Sequence, residues 1–171
     1  MKSFIPSKSL LLVLLLLGCG AVAGAEEKSS ALGNFDNSQP IEITSDRLEG
    51  DDPAGRAKFS GSVVAKQGDA TIYADEVTIH YATGKQRDID QVVAVGNVRI
   101  VQGERTATGG KAVFYNRESK VVLTGSPKVH QGKDSVQGDE ITVFLNEERS
   151  VVTGKEGGRV NAVFHPQGEK Q

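Results

Sequence analysis

Three histidines, two Asp-Glu pairs and one cysteine are the residues of this chain whose types could do chemistry. His80, His130 and His165 lie far apart and have no ligand partner at a spacing that metal sites use. Asp75-Glu76 and Asp139-Glu140 would suit general acid and base work if both carboxylates reached one substrate. Adjacent residues of a strand point to opposite faces, which keeps the members of each pair apart. The chain has no Gly-x-Ser-x-Gly, no Walker loop and no His-Glu-x-x-His. Its glycines are not followed by a helix, so they cradle no phosphate. The expectation is a non-enzyme with no metal and no cofactor.

Cys19 belongs to an N-terminal leader. Lys2 and Lys8 supply positive charge, Leu10 to Leu17 form an apolar core too short to span a bilayer, and Ala23-Gly24-Ala25 offers a cleavage site. Residues 1–25 therefore read as a secretory signal peptide. Leu16-Leu17-Gly18-Cys19 also resembles a lipoprotein box, so anchoring through Cys19 is the alternative to cleavage after Ala25. Either way the chain is exported. Cleavage leaves residues 26–171, a length that fits one domain. It removes two lysines and leaves 18 basic against 22 acidic residues, a net charge of −4. No basic patch of the kind nucleic acid requires is present. Residues 26–38 are polar and read as a disordered leader, 39–166 as the folded domain, and 167–171 as a flexible tail.

The domain is a repeat. Gly61, Val63, Gln67, Gly68 and Thr71 recur as Gly96, Val98, Gln102, Gly103 and Thr106, and again as Gly125, Pro127, Gln131, Gly132 and Ser135. Short Val-, Thr- and Ile-rich runs alternate with turn residues, which predicts an all-β, mostly antiparallel fold. Strands are expected near 56–66, 70–81, 89–101, 105–115, 120–124, 127–131, 134–145, 149–153 and 158–164. Pro40 fits the exposed start of an edge strand before them.

One spacing predicts a corner. Ile72 and Ala74 alternate in phase, but Val77, Ile79 and Tyr81 resume after an odd step. The same five-residue step joins Ile43 to Leu48, Ala107 to Ala112 and Val136 to Ile141. A straight strand would send half of these side chains to water. A bend or bulge at the Asp lets both halves face one interior, with the Asp bonded to nearby backbone. The interior is aliphatic, because the chain has no Trp. Its candidates are Ile41, Ile43, Val63, Ile72, Val77, Ile79, Val98, Ile100, Val113, Phe114, Val129, Ile141, Val143 and Val160. They make either an ordinary sandwich core or, if the sheet closes incompletely, an aliphatic groove. Alternation does not decide between the two.

Several motifs, in this order and spacing, resemble the OstA-like family of periplasmic lipopolysaccharide-transport proteins. They are Gln39-Pro40-Ile41-Glu42-Ile43-Thr44-Ser45-Asp46, Phe59-Ser60-Gly61-Ser62-Val63, Val95-Gly96-Asn97-Val98, Val121-Val122-Leu123-Thr124-Gly125, Gly138-Asp139-Glu140-Ile141-Thr142 and Gly158-Arg159-Val160. Ser62 and Pro127 depart from the family pattern. The resemblance implies a partly open, twisted antiparallel β-jelly roll of about sixteen short strands. It implies a carrier or bridge that shelters lipid A acyl chains between the inner-membrane export complex and the outer-membrane translocon. Lipopolysaccharide, an inner-membrane LptC-type protein and an outer-membrane LptD-type translocon are then the expected partners, with no nucleic acid. The expected groove residues are Ile41, Ile43, Val63, Ile72, Val77, Ile79, Val98, Ile100, Phe114, Val129, Ile141 and Val143. Open sheet edges at Pro40 and Ile41, and at Arg159, Val160 and Val163, would join copies head to tail by strand addition. The competing expectation is an exported structural β-repeat protein with a filled core.

Overall fold

The computed structural model describes residues 39–83, 88–147, 149–154 and 158–166. The signal peptide, Cys19, the 26–38 leader and the 167–171 tail lie outside the described residues. Twelve strands form one antiparallel sheet: β1 (Glu42–Thr44), β2 (Arg47–Asp51), β3 (Arg56–Gln67), β4 (Ala70–Tyr81), β5 (Ile89–Gln102), β6 (Arg105–Tyr115), β7 (Lys120–Thr124), β8 (Lys128–Gln131), β9 (Asp134–Gln137), β10 (Glu140–Phe144), β11 (Arg149–Thr153) and β12 (Asn161–Val163). No helix occurs among the described residues.

The sheet is folded along one line into two arms. The first arm runs β2, β3, β4, β5, β6, β7, β10, β11, and the second runs β1, β3, β4, β5, β6, β8, β9, β12. β3, β4, β5 and β6 belong to both, because each bends at its middle. Counting these four as two arms each turns twelve strands into the sixteen that the resemblance implies. The sheet does not close. β1 and β2 end it on one side, β11 and β12 on the other.

The bend is built by the residues that the five-residue step singled out. On β3, Ser60 pairs with Glu76 and Val63 with Ala74, so Gly61 and Ser62 oppose Asp75 alone. On β5, Val95 pairs with Lys111 and Val98 with Gly109, so Gly96 and Asn97 oppose Gly110 alone. Each is a bulge of two residues against one, lying on the strands beside those that carry the odd step, and it turns the sheet there. Both bulge residues have positive φ: 83° and 45° at Gly61 and Ser62, 79° and 48° at Gly96 and Asn97. Gly125 and Ser126 repeat the pair at 77° and 59°. The aspartates pack against the glycines. A Cβ on Gly61 would lie 2.2 Å from Asp46 Oδ2, and one on Gly96 would lie 2.3 Å from Asp75 Oδ2. Asn97 Nδ2 donates to Asp75 Oδ2 at 2.8 Å. Asp46 and Asp75 thus pack into their corners, and Asp75 accepts from the Asn97 side chain rather than from the backbone N–H that was expected.

The Gln-Gly motif is explained at the opposite ends of the strands. Gly68, Gly103 and Gly132 open two-residue hairpin loops at φ of 58°, 55° and 58°, a conformation that favours glycine. The glutamines before the first two loops tie them to neighbouring segments. Gln67 Nε2 donates to the Gln39 carbonyl at 2.9 Å, and Gln102 Nε2 donates to Asp69 at 3.0 Å.

Candidate functional site

The two arms carry inward side chains from both halves of each bent strand. Ala74, Val77 and Ile79 of β4 are all buried although they straddle the odd step. The arms do not meet along their whole length. From β1 to β7 they leave a groove of about 890 Å3. Its walls are aliphatic and aromatic: Ile41, Ile43, Phe59, Ile72, Val77, Ile79, Val92, Ile100, Phe114 and Val121. Ala65, Ala70, Ala82, Ala94 and Ala112 also line it, and their small side chains leave the space between the arms.

Polar groups sit where the hairpin ends form the two lips. Lys66 and Gln67 are on one lip, and Asp88, Asp90, Asn116 and Arg117 on the other. Arg117 Nε lies 3.1 Å from Asp90 Oδ1, and Asn116 Nδ2 donates to the Ile89 carbonyl at 2.8 Å, so part of the second lip is internally paired. A cleft with an apolar floor and polar lips suits an amphiphile, with its chains inside and its polar group at the mouth. Each methylene sheltered from water contributes about 0.8 kcal/mol, and the lining offers few polar groups to do more than orient the guest.

Of the twelve groove residues expected from sequence, seven line the groove: Ile41, Ile43, Ile72, Val77, Ile79, Ile100 and Phe114. The other five do not. Val63, Val98, Ile141 and Val143 are at most 2% exposed in the packed core, and Val129 packs against it half-buried. Val63 and Val98 pack at the corner of the fold beside the bulges, and Ile141 and Val143 pack on β10. Phe59, Tyr81, Ile89, Val92, Val121 and five alanines line the groove without having been named as groove residues. Their inward phase was readable; the place where the arms part was not.

Pro40 and Ile41 stand exposed just before β1. Arg159 and Val160 precede β12, which is shorter than the expected 158–164 and spans only Asn161–Val163. All three β12 residues are exposed. Val160 and Val163 are 44% and 47% exposed, and Phe164 is 70% exposed beside them. β12 is held by three residue pairs to β9 and by one clasp. The His165 backbone N–H donates to Asp134 Oδ1 at 2.8 Å, and His165 Nδ1 lies 3.1 Å from the same oxygen. The backbone bond, then the ring, holds the Asp134 carboxyl below its ordinary value of 3.8. His80 sits half-buried on β4. No group of three or more metal-ligating side chains occurs among the described residues.

A family model described as the LptA/(LptD N-terminal domain) LPS transport protein matches residues 42–149. An uncharacterized protein of Rhizobium meliloti is 33% identical over 104 residues, 57% of this chain and 56% of its own length. The LPS-assembly protein LptD of Aeromonas hydrophila is 34% identical over 90 residues, 53% of this chain and 10% of that protein. LptD of Vibrio cholerae is 40% identical over 74 residues, 43% of this chain and 9% of that protein. The chain thus spans about half the length of the first of these relatives and about a tenth of the LptD proteins. Among solved structures, LptH, the LptA homologous periplasmic component of the lipopolysaccharide transport device of Pseudomonas aeruginosa, is similar with a TM-score of 0.69 at 24% identity. The match covers 77% of this chain and 99% of that one, and at this identity it shows a shared fold.

Proposed function

The chain belongs to the LptA/LptD N-terminal domain family of lipopolysaccharide-transport proteins, and from that premise we propose that it is a periplasmic carrier that shelters lipid A acyl chains between its two arms. One observation carries the reading: an aliphatic groove of about 890 Å3 with polar lips, left between arms that are otherwise packed. The family and fold are those of transport proteins, and the groove gathers no acid and base pair within its apolar walls. Its work is binding. An acyl chain of about a dozen methylenes gains at most roughly 10 kcal/mol from burial, enough to hold a chain in water and still release it to a similar neighbouring site.

In this reading residues 1–25 direct export, 39–166 form the carrier domain, and the processed chain starts after Ala25 rather than at a lipidated Cys19. The carrier receives cargo from an inner-membrane LptC-type protein and delivers it to an outer-membrane LptD-type translocon. The unpaired edges at β1 and β2 and at β11 and β12 support joining by strand addition, which would align the grooves of successive copies. Photo-crosslinking in cells that make lipopolysaccharide tests the central claim. A photoreactive residue at Ile43 or Val77 should give a lipopolysaccharide adduct, and one at exposed Glu147 should not. A folded protein with no adduct at either groove position would point instead to a structural β-repeat protein.

A further inference from the structure

The two outer faces of the folded sheet carry charge differently. In the second arm Ile43, Ile72 and Ile100 point into the groove, so the residues on either side of each point outward. The register sets two outward rows. One carries Tyr73, Arg99, Thr108 and Lys128 across β4, β5, β6 and β8. The other carries Glu42, Lys66, Thr71, Val101 and Thr106 across β1, β3, β4, β5 and β6, and ends at His130 on β8. From β1 to β8 these rows hold three cations, Lys66, Arg99 and Lys128, against one carboxylate, Glu42 at the edge. None of the three meets a carboxylate among the described residues. The Arg99 guanidinium lies instead 3.8 Å from the centre of the Tyr73 ring. At the rim Asp69 is held by Gln102, and Lys133 offsets Glu104. On the first arm and its loops Arg47, Arg56, Lys58, Arg117, Lys120 and Arg149 all pair with carboxylates. Residues 26–171, with a net charge of −4, thus leave uncompensated positive charge on one face of the sheet.

This face begins at the groove. Lys66 borders the groove's mouth and also stands in the outward row. The opposite lip disfavours an anion: of the described residues there, Asp88 and Asp90 face one cation, Arg117, which Asp90 already holds. We propose that the outer face of the second arm is a docking track for the phosphate-bearing saccharide of the glycolipid whose acyl chains lie in the groove. The inference rests on reading the groove as an acyl-chain site. The chains lie between the arms, and the polar part turns over the Lys66 lip rather than the acidic one. Lys66 and Arg99 are two strands apart, and so are Arg99 and Lys128, which sets steps of about 10 Å across the sheet. One phosphate cannot bridge such a step, whereas successive anionic groups of an extended saccharide can meet successive cations. Thr71, Thr106 and Thr108 stand among the cations, and their hydroxyls can both donate to and accept from sugar hydroxyls. Membrane-surface segments set apolar anchors beside their cations. From β1 to β8 neither row exposes a large hydrophobic side chain, which favours a saccharide over a bilayer.

Three probes offered to the exported protein test this: lipid A, rough lipopolysaccharide that carries a phosphorylated core saccharide on lipid A, and vesicles of phosphatidylglycerol. Affinities are read by microscale thermophoresis at low and at high salt. Each exposed charge contact is worth about two- to threefold at low salt, and salt screens it. Arg99→Gln/Lys128→Gln should therefore bind rough lipopolysaccharide about fivefold more weakly than the wild type at low salt and equally at high salt. It should bind lipid A and the vesicles as the wild type does. Lys58→Gln, which removes a paired cation of the first arm, should change nothing. Far-UV circular dichroism establishes that each variant is folded; if the double variant is not, Lys128→Gln decides alone, with a loss of about two- to threefold. An unchanged affinity for rough lipopolysaccharide in the folded variant overturns the track. So does an equal loss for lipid A, which would make lipid A's own phosphates the partner, and so does a loss confined to the vesicles, which would make it a bilayer. A wild type that binds neither lipid A nor rough lipopolysaccharide overturns the acyl-chain reading itself.

Discussion

Replacing Gly96 by alanine tests whether the corner holds the fold. Two penalties add at this position. Gly96 has a φ of 79°, and a residue with a Cβ in left-handed backbone costs about 1–2 kcal/mol. The new methyl would also sit 2.3 Å from Asp75 Oδ2, 2.8 Å from its Cγ and 2.9 Å from its Cβ, and forcing an extra group into filled space costs about 1–3 kcal/mol. Gly96→Ala should therefore lose about 2–5 kcal/mol. Gly103 is the control. Its φ is 55°, but nothing lies within 4 Å of the added Cβ, so Gly103→Ala should lose only the backbone share of about 1–2 kcal/mol. Urea unfolding followed by far-UV circular dichroism measures both, and at about 4 °C per kcal/mol a thermal melt separates them as well. In an Asp75→Gly background the additional loss on Gly96→Ala should fall to that of Gly103→Ala, because the clashing atoms are gone. Equal losses for the two glycines in the parent protein would refute the packing of aspartate on glycine as the element that fixes the corner.

The C-terminal strand gives two further expectations. The Asp134 carboxyl is held below its ordinary value by the His165 backbone and ring. A depressed carboxyl contributes stability that is present above its unfolded pKa and lost as pH falls through its folded one. The clasp should thus persist at neutral pH and release only in acid, below the ordinary value of 3.8; the His165 amide shift in an NMR titration should follow the carboxyl, and Asp134→Asn should abolish that step. Deleting residues 158–171 removes β12 and should abolish head-to-tail assembly in size-exclusion chromatography while leaving the monomer folded. Assembly that survives the deletion would place the joint elsewhere.

The corner was legible in the sequence because it breaks a period. Ile72, Ala74, Val77 and Ile79 cannot all face inward on a straight strand, which called for a bend or bulge near Asp75; β4 bends there, and the bulges lie on its neighbours β3 and β5. The hairpin loops were legible because Gln-Gly recurs in frame. The extent of the groove was not. Val63 and Val98 share the buried cluster with Ile100 and the adjoining Ile72, yet only Ile72 and Ile100 border the groove. That distinction depends on how far apart two arms stand, which is set by side chains on strands distant in sequence. The alanines show the same limit: Ala94 reads as an unremarkable strand residue, and its small size matters only opposite another arm. The shortness of β12 was hidden for a related reason, since it has a partner on one side only.

Among the described residues, each strand pairs with and mainly contacts its immediate neighbours in the stack. Stability is then close to a sum of neighbour terms, as in solenoid repeats. Amide hydrogen exchange should be graded, slowest in the long β4 and β5 pairing and fastest in the three-residue strands β1 and β12. The terminal strands can peel away and re-form while the middle of the molecule stays intact, so a neighbouring edge can take their place without the fold being lost.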